Sequence, residues 1–314
     1  MTQPALHPQQ RPTLYFVGVT TTQSSIMKVF PKWSDILGIN AQIIGYDAPI
    51  HAPAETYRAI VQHIINDPMS KGALVTTHKI DLLHACRDLF DTLDPYAEIC
   101  DEVSGIAYHN QTLSGHALDP ITSGLALNHF VPENHWAMTH ADVLCFGAGG
   151  AGVAISVYMA QHTHNHPRKF ILTDVSQERL EAIEAIHTKL DTPIKFEYHL
   201  IDSAATNDKL VQELPPQSLV INATGLGKDR PGSPLSDDAI FPSDGLIWEL
   251  NYRGERPFMR QAQTQANMQN LHIEDGWVYF IHGWSQVIAT VFDLDLTPET
   301  MQQLDFAANQ TRTT

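Results

Sequence analysis

Three glycines, Gly147, Gly149 and Gly152, follow the apolar run Val143 to Phe146 and precede an apolar, helix-compatible stretch at residues 153–160. Each glycine has a physical use at this spacing. The first permits a tight turn from strand to helix, the second lets backbone approach a pyrophosphate, and the third lets the helix pack close to the strand. N–H groups at the helix start, from Gly150, Ala151 and Gly152, are then free to hold phosphates. A second apolar strand, residues 169–174, ends in Asp174. A carboxylate at that place accepts hydrogen bonds from the hydroxyls of an adenosine ribose and repels a 2′-phosphate. The pattern predicts dinucleotide binding, with NAD favoured over NADP. Two other readings stay open: Asp174 as the cap of a helix at 177–186, a role Ser176 serves equally well, and Arg179 as partner of a 2′-phosphate.

These residues need elements to hold them. Ahead of the glycine run the pattern predicts strands at 14–19, 41–46 and 72–77, alternating with helices at 26–37 and 54–65. A helix at 81–93, a hairpin of 105–108 with 112–115, a helix at 123–130 and a hinge at 132–134 follow. Beyond the hinge, strands at 193–198, 218–222, 245–250 and 269–273 continue the alternation, which implies a parallel sheet with helices on both faces. The tail reads as an amphipathic helix at 279–294 that folds back on the first domain, then a helix starting at Thr297-Pro298. The expected fold class is α/β: an N-terminal α/β substrate domain plus a Rossmann dinucleotide-binding domain, with the C-terminal helices returning to the substrate domain. The domain bounds drawn from sequence are 1–131 joined by 279–314, and 132–278.

With 35 acidic against 19 basic residues and a net charge of −16, the 314-residue chain lacks the basic footprint that a nucleic-acid partner demands. No apolar run approaches the roughly 20 residues that span a bilayer, so no membrane partner is expected. The polar, proline-rich N-terminus does not have the form of a signal peptide. Cys86, Cys100 and Cys145 form no CxxC pair and read as reduced thiols of a cytoplasmic protein. The run His162-Thr-His-Asn-His166 is read as a solvated turn and not a zinc site, because no cysteine or carboxylate lies near it in sequence.

Beyond the glycine run, several short motifs stand in a telling order. The run Val75-Thr-Thr-His-Lys79 resembles the Asn-Val-Thr-x-Pro-x-Lys motif of the shikimate and quinate dehydrogenase family. Gly115-His-Ala-Leu-Asp119 is similar to that family's Gly-x-Asn-Thr-Asp, and Asn222-Ala-Thr-Gly-Leu-Gly227 to its Asn-Ala-Thr-x-x-Gly loop. Glu249-Leu-Asn-Tyr252 resembles Asp-x-x-Tyr, the segment Gly276 to Gly283 resembles Gly-x-x-Met-Leu-x-x-Gln, and Thr20-Thr-Thr-Gln-Ser-Ser25 corresponds to a His-Ser-x-Ser run. The resemblance covers nearly the whole chain. It implies a two-domain enzyme that holds its substrate in the cleft between the domains.

The resemblance assigns proton transfer to Lys79 and Asp119. The chemistry fits, because moving hydride between a C–OH carbon and nicotinamide also moves a proton, and a lysine oriented by a carboxylate can take and return one. It places Ser24, Ser25, Thr77, Tyr252, His282 and Gly283 on the substrate side, and adds Asn222, Ala223, Thr224 and Gly225 to the cofactor residues. Other uses of these residues stay open: Ser24 or Ser25 as a helix N-cap, Asp119 as a turn residue before Pro120, and Lys79 as a surface lysine at a helix start, although helix starts disfavour cations. Where the family places asparagines against substrate hydroxyls, this chain has Ala117, and Ser104 or Gly105. Losing those amides predicts a substrate other than shikimate. Gly283, flanked by His282 and Trp284, predicts a reshaped, more apolar pocket. Two alternatives stand beside this reading: an oxidoreductase acting on C–N bonds, like the methylene-tetrahydrofolate dehydrogenases, and a non-enzymatic NAD-binding sensor. The expected partner is a small-molecule substrate, with a homodimer left open.

Overall fold

Strands and helices alternate from Thr13 onward in the computed structural model, which describes residues 6–162, 165–228 and 230–312. In chain order these are β1 (Thr13–Gly18), α1 (Ile26–Leu37), β2 (Gln42–Asp47), α2 (Ala54–Asn66), β3 (Ser70–Val75), α3 (Lys79–Cys86), β4 (Thr92–Leu93), α4 (Pro95–Cys100), β5 (Gly105–His109) and β6 (Thr112–His116). Next come α5 (Asp119–Phe130), α6 (His135–Thr139), β7 (Val143–Phe146), α7 (Gly150–His162), β8 (Lys169–Asp174), α8 (Gln177–His187), β9 (Lys195–Leu200) and α9 (Ala204–Gln212). The chain closes with β10 (Leu219–Asn222), β11 (Leu246–Glu249), α10 (Pro257–Gln269), β12 (His272–Asp275), α11 (Trp277–Phe292) and α12 (Pro298–Asn309). Two units result, one of Met1–Leu118 with Gly283–Thr314, the other of Asp119–His282.

The first unit holds a sheet ordered β2-β1-β3-β5-β6-β4. Strands β2, β1 and β3 run parallel, while β5 is antiparallel to both β3 and β6. The two residues between β5 and β6, Asn110 and Gln111, have φ of 49° and 65°, the left-handed pair that a tight hairpin requires. Helix α1 buries Ile26, Val29, Phe30 and Trp33. The Trp33 indole donates to the Leu304 carbonyl at 2.8 Å, fastening α12 to this unit, so the C-terminal helices do return here.

The second unit is a parallel sheet ordered β12-β11-β10-β7-β8-β9. All four residues of β7 are buried, Val143 and Cys145 in one core cluster and Leu144 and Phe146 in another. Helices cover both faces, which is why the strand reads in sequence as an unbroken apolar run. Strand order reverses between β7 and β10, the place where open α/β sheets bind ligands at the carboxyl ends of their strands.

Several boundaries differ from the sequence reading. Helix α5 starts at Asp119 and not at 123, because Pro120 sits in its first turn, where a missing N–H costs nothing. A Cβ on Gly124 of α5 would stand 2.0 Å from the Tyr158 ring of α7, so this glycine lets the two helices meet. That packing groups α5 with the second unit, and the chain divides after Leu118 and again inside α11 after His282. The helix expected at 81–93 ends at Cys86, since Asp91 is tied to β6: its N–H donates to the Leu113 carbonyl and its carboxylate accepts the Leu113 N–H. The segment read as a hinge leads directly into α6. Among the described residues, no helix is long and apolar enough to cross a membrane, and no group of His, Cys, Asp and Glu is arranged to hold a metal. His164 and the side chain of His162 lie outside the described residues.

Candidate active site

In the second unit the glycine run forms the turn from β7 into α7. Gly147 has φ of 102°, and a Cβ there would stand 2.8 Å from the Ala223 carbonyl oxygen. A Cβ on Gly152 would stand 2.4 Å from the Gly147 carbonyl oxygen, whereas one on Gly149 would meet nothing within 4 Å. The turn is thus closed on its protein side and open on its ligand side. Gly150 and Ala151 open α7 with their surroundings partly exposed. A cavity of about 300 Å³ lies against this turn, walled in part by Gly147, Gly149, Asp174, Arg179, Thr224 and Arg230. Thr173 also lines it, and among the described residues its buried hydroxyl has no hydrogen-bond partner.

Asp174 is nearly buried, and its two oxygens are engaged by backbone: Oδ2 accepts the Ala148 N–H and Oδ1 the Ser176 N–H, both at 2.9 Å. The carboxylate therefore pins the glycine turn to the loop after β8. Capping of α8 falls to Ser176, whose hydroxyl accepts the Arg179 N–H at 3.3 Å. Arg179 Nη1 stands 3.9 Å from Asp174 Oδ2.

The loop after β10 is shaped from beneath. Asn222 is fully buried; its Oδ1 accepts the N–H and hydroxyl of Thr224, and its Nδ2 donates to both oxygens of Glu249. Asn222 thus holds the loop, while Ala223 and Thr224 face the cavity and Gly225 turns the chain with φ of 72°. Burial pushes the Glu249 carboxyl up from 4.5 to about 7, against the opposing pull of N–H donors on Asn251 and Asn222. Tyr252 packs edge-on to Trp277 and tilted against Phe280, so its ring is held by an aromatic nest.

In the first unit Lys79 is the first residue of α3, just past the carboxyl end of β3. Thr77 turns the chain with φ of 59°, a strained conformation for a β-branched residue. His78 anchors this hook, buried with its Nδ1 3.1 Å from the Tyr57 hydroxyl of α2. The hydroxyl loop follows β1 at the same end of the sheet. Thr21 gives both its N–H and its hydroxyl to Asp47, which fixes the loop. Ser25 precedes α1 without capping it, and among the described residues neither the Ser24 nor the Ser25 hydroxyl bonds to the chain. The capping reading of these serines is not realised.

The substitutions noted in sequence have structural consequences. The Ser104 hydroxyl accepts the Leu118 N–H at 2.9 Å, so it holds the residue before Asp119. Ala117 is buried. Trp284 packs edge-on against Phe16 of β1 and belongs to the core of the first unit, not to a pocket wall as its neighbourhood in sequence suggested. Gly283 begins the first unit's part of α11, and a Cβ there would meet nothing within 4 Å; His282 ends the second unit's part, and Asp119 opens α5.

No protein-family model matches the sequence. The chain is 25% identical over 209 residues to the NADP(+) shikimate dehydrogenase of Lactococcus lactis subsp. cremoris, spanning 66% of this chain and 69% of that protein. It is 30% identical over 177 residues to the NADP(+) shikimate dehydrogenase of Streptococcus thermophilus, spanning 56% of this chain but only 58% of that protein. Its fold is that of the Corynebacterium glutamicum quinate dehydrogenase solved with NAD, with a TM-score of 0.73 at 16% identity, covering 96% of this chain and 99% of that one. This chain is thus similar to shikimate dehydrogenases in sequence and to a quinate dehydrogenase in fold. Ala117, and Ser104 or Gly105, stand where the resemblance leads one to expect asparagines. Sequence reading missed three polar groups at these sites: Asp47 beneath the hydroxyl loop, Arg230 in the cavity wall, and the buried Glu102, whose carboxylate stands 3.7 Å from Lys79 Nζ. Only the adjacent acids Asp101-Glu102, directly before an apolar strand, hinted at the last.

Proposed function

We propose that this protein transfers hydride between nicotinamide and the CH–OH or C=O carbon of a small polar substrate, as a dehydrogenase of the shikimate and quinate type, with Lys79 and Asp119 handling the accompanying proton. The observation that carries this reading is the placement of Lys79. A cation at a helix start opposes the helix dipole, and the strained Thr77 that delivers it adds a further cost. Both unfavourable features become intelligible if an amine is needed at the carboxyl edge of the sheet. In oxidation the neutral amine takes the hydroxyl proton; in reduction the ammonium returns it to the forming alkoxide. Hydride chemistry itself belongs to the nicotinamide. The uncommitted hydroxyls of Ser24 and Ser25 serve to hold the polar end of the substrate.

A dinucleotide suits the cavity: Gly149 of its glycine turn is open, and the turn runs straight into the start of α7, where a helix has free N–H groups. We assign NAD as the preferred form, because the Asp174 carboxylate is part of the cavity wall, where its charge opposes a 2′-phosphate. NADP is the second reading, supported by the two guanidinium groups, Arg179 and Arg230, lining the same cavity. Fluorescence titration with NADH and NADPH decides between them. We expect NADH to bind at least about tenfold tighter, a difference of about 1.4 kcal/mol, and equal or reversed affinities would overturn the assignment. Shikimate and quinate are expected to be poor substrates, because the Ser104 hydroxyl is engaged by backbone and Ala117 offers no polar group. A kcat/KM for shikimate above ~10⁴ M⁻¹s⁻¹ would contradict this.

A further inference from the structure

Glu102 follows the C-cap of α4, Asp101, a left-handed residue with φ of 53° that turns the chain towards β5. Its side chain is 5% exposed and that of Lys79 16%, and the 3.7 Å between Oε1 and Nζ makes them a largely buried ion pair. Backbone builds the meeting, since the Val103 N–H donates to the Lys79 carbonyl at 3.3 Å. Both residues lie in the first unit.

A purely structural clasp is the competing account, and the neighbouring Asp101 is one: it reaches His84 at 2.5 Å and Arg87 at 3.5 Å on the outside of α3. Asp101, however, is 49% exposed. Burying an ammonium and a carboxylate carries a desolvation cost that an apolar contact would avoid, so stability alone is a poor reason for this pair. The ammonium also faces the unfavourable end of the α3 dipole, where burial favours loss of its proton and a close carboxylate opposes that loss.

We propose that Glu102 is the positioning residue of Lys79: its carboxylate holds the ammonium at the head of α3 and keeps it charged before substrate arrives. This rests on Lys79 being the proton-transfer group. In reduction the carbonyl carbon gains hydride from the reduced cofactor, its oxygen takes the ammonium proton, and the resulting amine regains a proton from solvent. Glu102 remains a carboxylate throughout.

Competitive acetylation with trace acetic anhydride at about pH 8 tests the pair, because only neutral amines react and lysine is mostly charged there. Mass spectrometry reads the rate at Lys79 against that at Lys195, whose side chain is 67% exposed. Glu102→Gln and Glu102→Ala both remove the charge, so whichever folds, as judged by a cooperative unfolding transition close to the parent's, gives the answer. Lys79 should react about tenfold faster in either, and Glu102→Asp, which keeps a carboxylate, should stay within about threefold of the parent. Equal rates in the parent and the uncharged variants would overturn the proposal while leaving the dehydrogenase reading intact. Full turnover by Lys79→Ala would instead sink that reading, whatever the labelling shows.

Discussion

Replacing Lys79 by alanine removes the proposed proton carrier without touching the nucleotide cavity. Turnover should fall about 10²–10⁴-fold while cofactor affinity stays nearly constant, and a loss within about threefold would show an ordinary lysine. Asp119→Ala should do likewise, with the double variant losing far less than the product if, as proposed, both act on one proton. Asp174 pins the glycine turn and is proposed to select NAD, and Asp174→Ala should reveal both. It should narrow the NADH/NADPH affinity ratio and, by orphaning the Ala148 and Ser176 N–H groups, cost about 1–3 kcal/mol in denaturant unfolding. Glu249 supplies a pH signature. Its carboxyl titrates near 4.5 when unfolded and about 7 when folded, so the folded chain binds the extra proton between those values. That contribution is complete below about 4.5 and is lost as pH rises through about 7. Melting curves should show the parent weakening more than Glu249→Gln between about pH 5 and pH 8, by about 1–3 kcal/mol. Identical slopes would mean that the buried carboxyl titrates normally.

At the scale of elements, the proposed chemistry depends on short connections at the carboxyl ends of parallel strands. The hook after β3, the hydroxyl loop after β1, the glycine turn after β7 and the loop after β10 each leave a strand at that end. Three are pinned by a group from another element, His78 by Tyr57, Thr21 by Asp47 and Ala148 by Asp174, and the fourth by the last residue of its own strand, Thr224 by Asn222. The C-terminal helices are held in the same manner. Trp33→Phe keeps the aromatic packing of α1 but leaves the Leu304 carbonyl without its buried donor. We expect a loss of about 1–3 kcal/mol, with proteolysis reaching α12 before the rest of the first unit. Unfolding midpoints equal to the parent's would show that this bond fastens nothing.

At the scale of the whole molecule, the two units differ in continuity. The second is one uninterrupted segment, whereas the first closes only when the C-terminal segment joins it. The cavity proposed for the nucleotide is lined by residues of the second unit. A fragment of residues 119–292, which keeps α11 whole, should therefore bind NADH within about tenfold of the full chain and show no turnover, because Lys79 is absent. Loss of binding in a folded fragment would place part of the nucleotide site elsewhere.

Features set by neighbours along the chain were legible in the sequence. The β7–turn–α7 unit follows from an apolar run and three glycines, the hairpin turn from its flanking strand pattern, and the caps at Ser176 and Thr297 from residue type. Motif order pointed to the family as well. Tertiary structure alone decided which distant groups meet. It made Asp174 a pin for the glycine turn, turned the Ser104 hydroxyl towards Leu118, buried Trp284 against Phe16, and set Glu102 beside Lys79. It also moved the division between units to Asp119, through the contact of Gly124 with Tyr158. The physical reason is that periodicity and capping act over a single turn of helix or a few residues of strand. The partner of a buried polar group is instead whichever segment the sheet order brings within hydrogen-bonding reach.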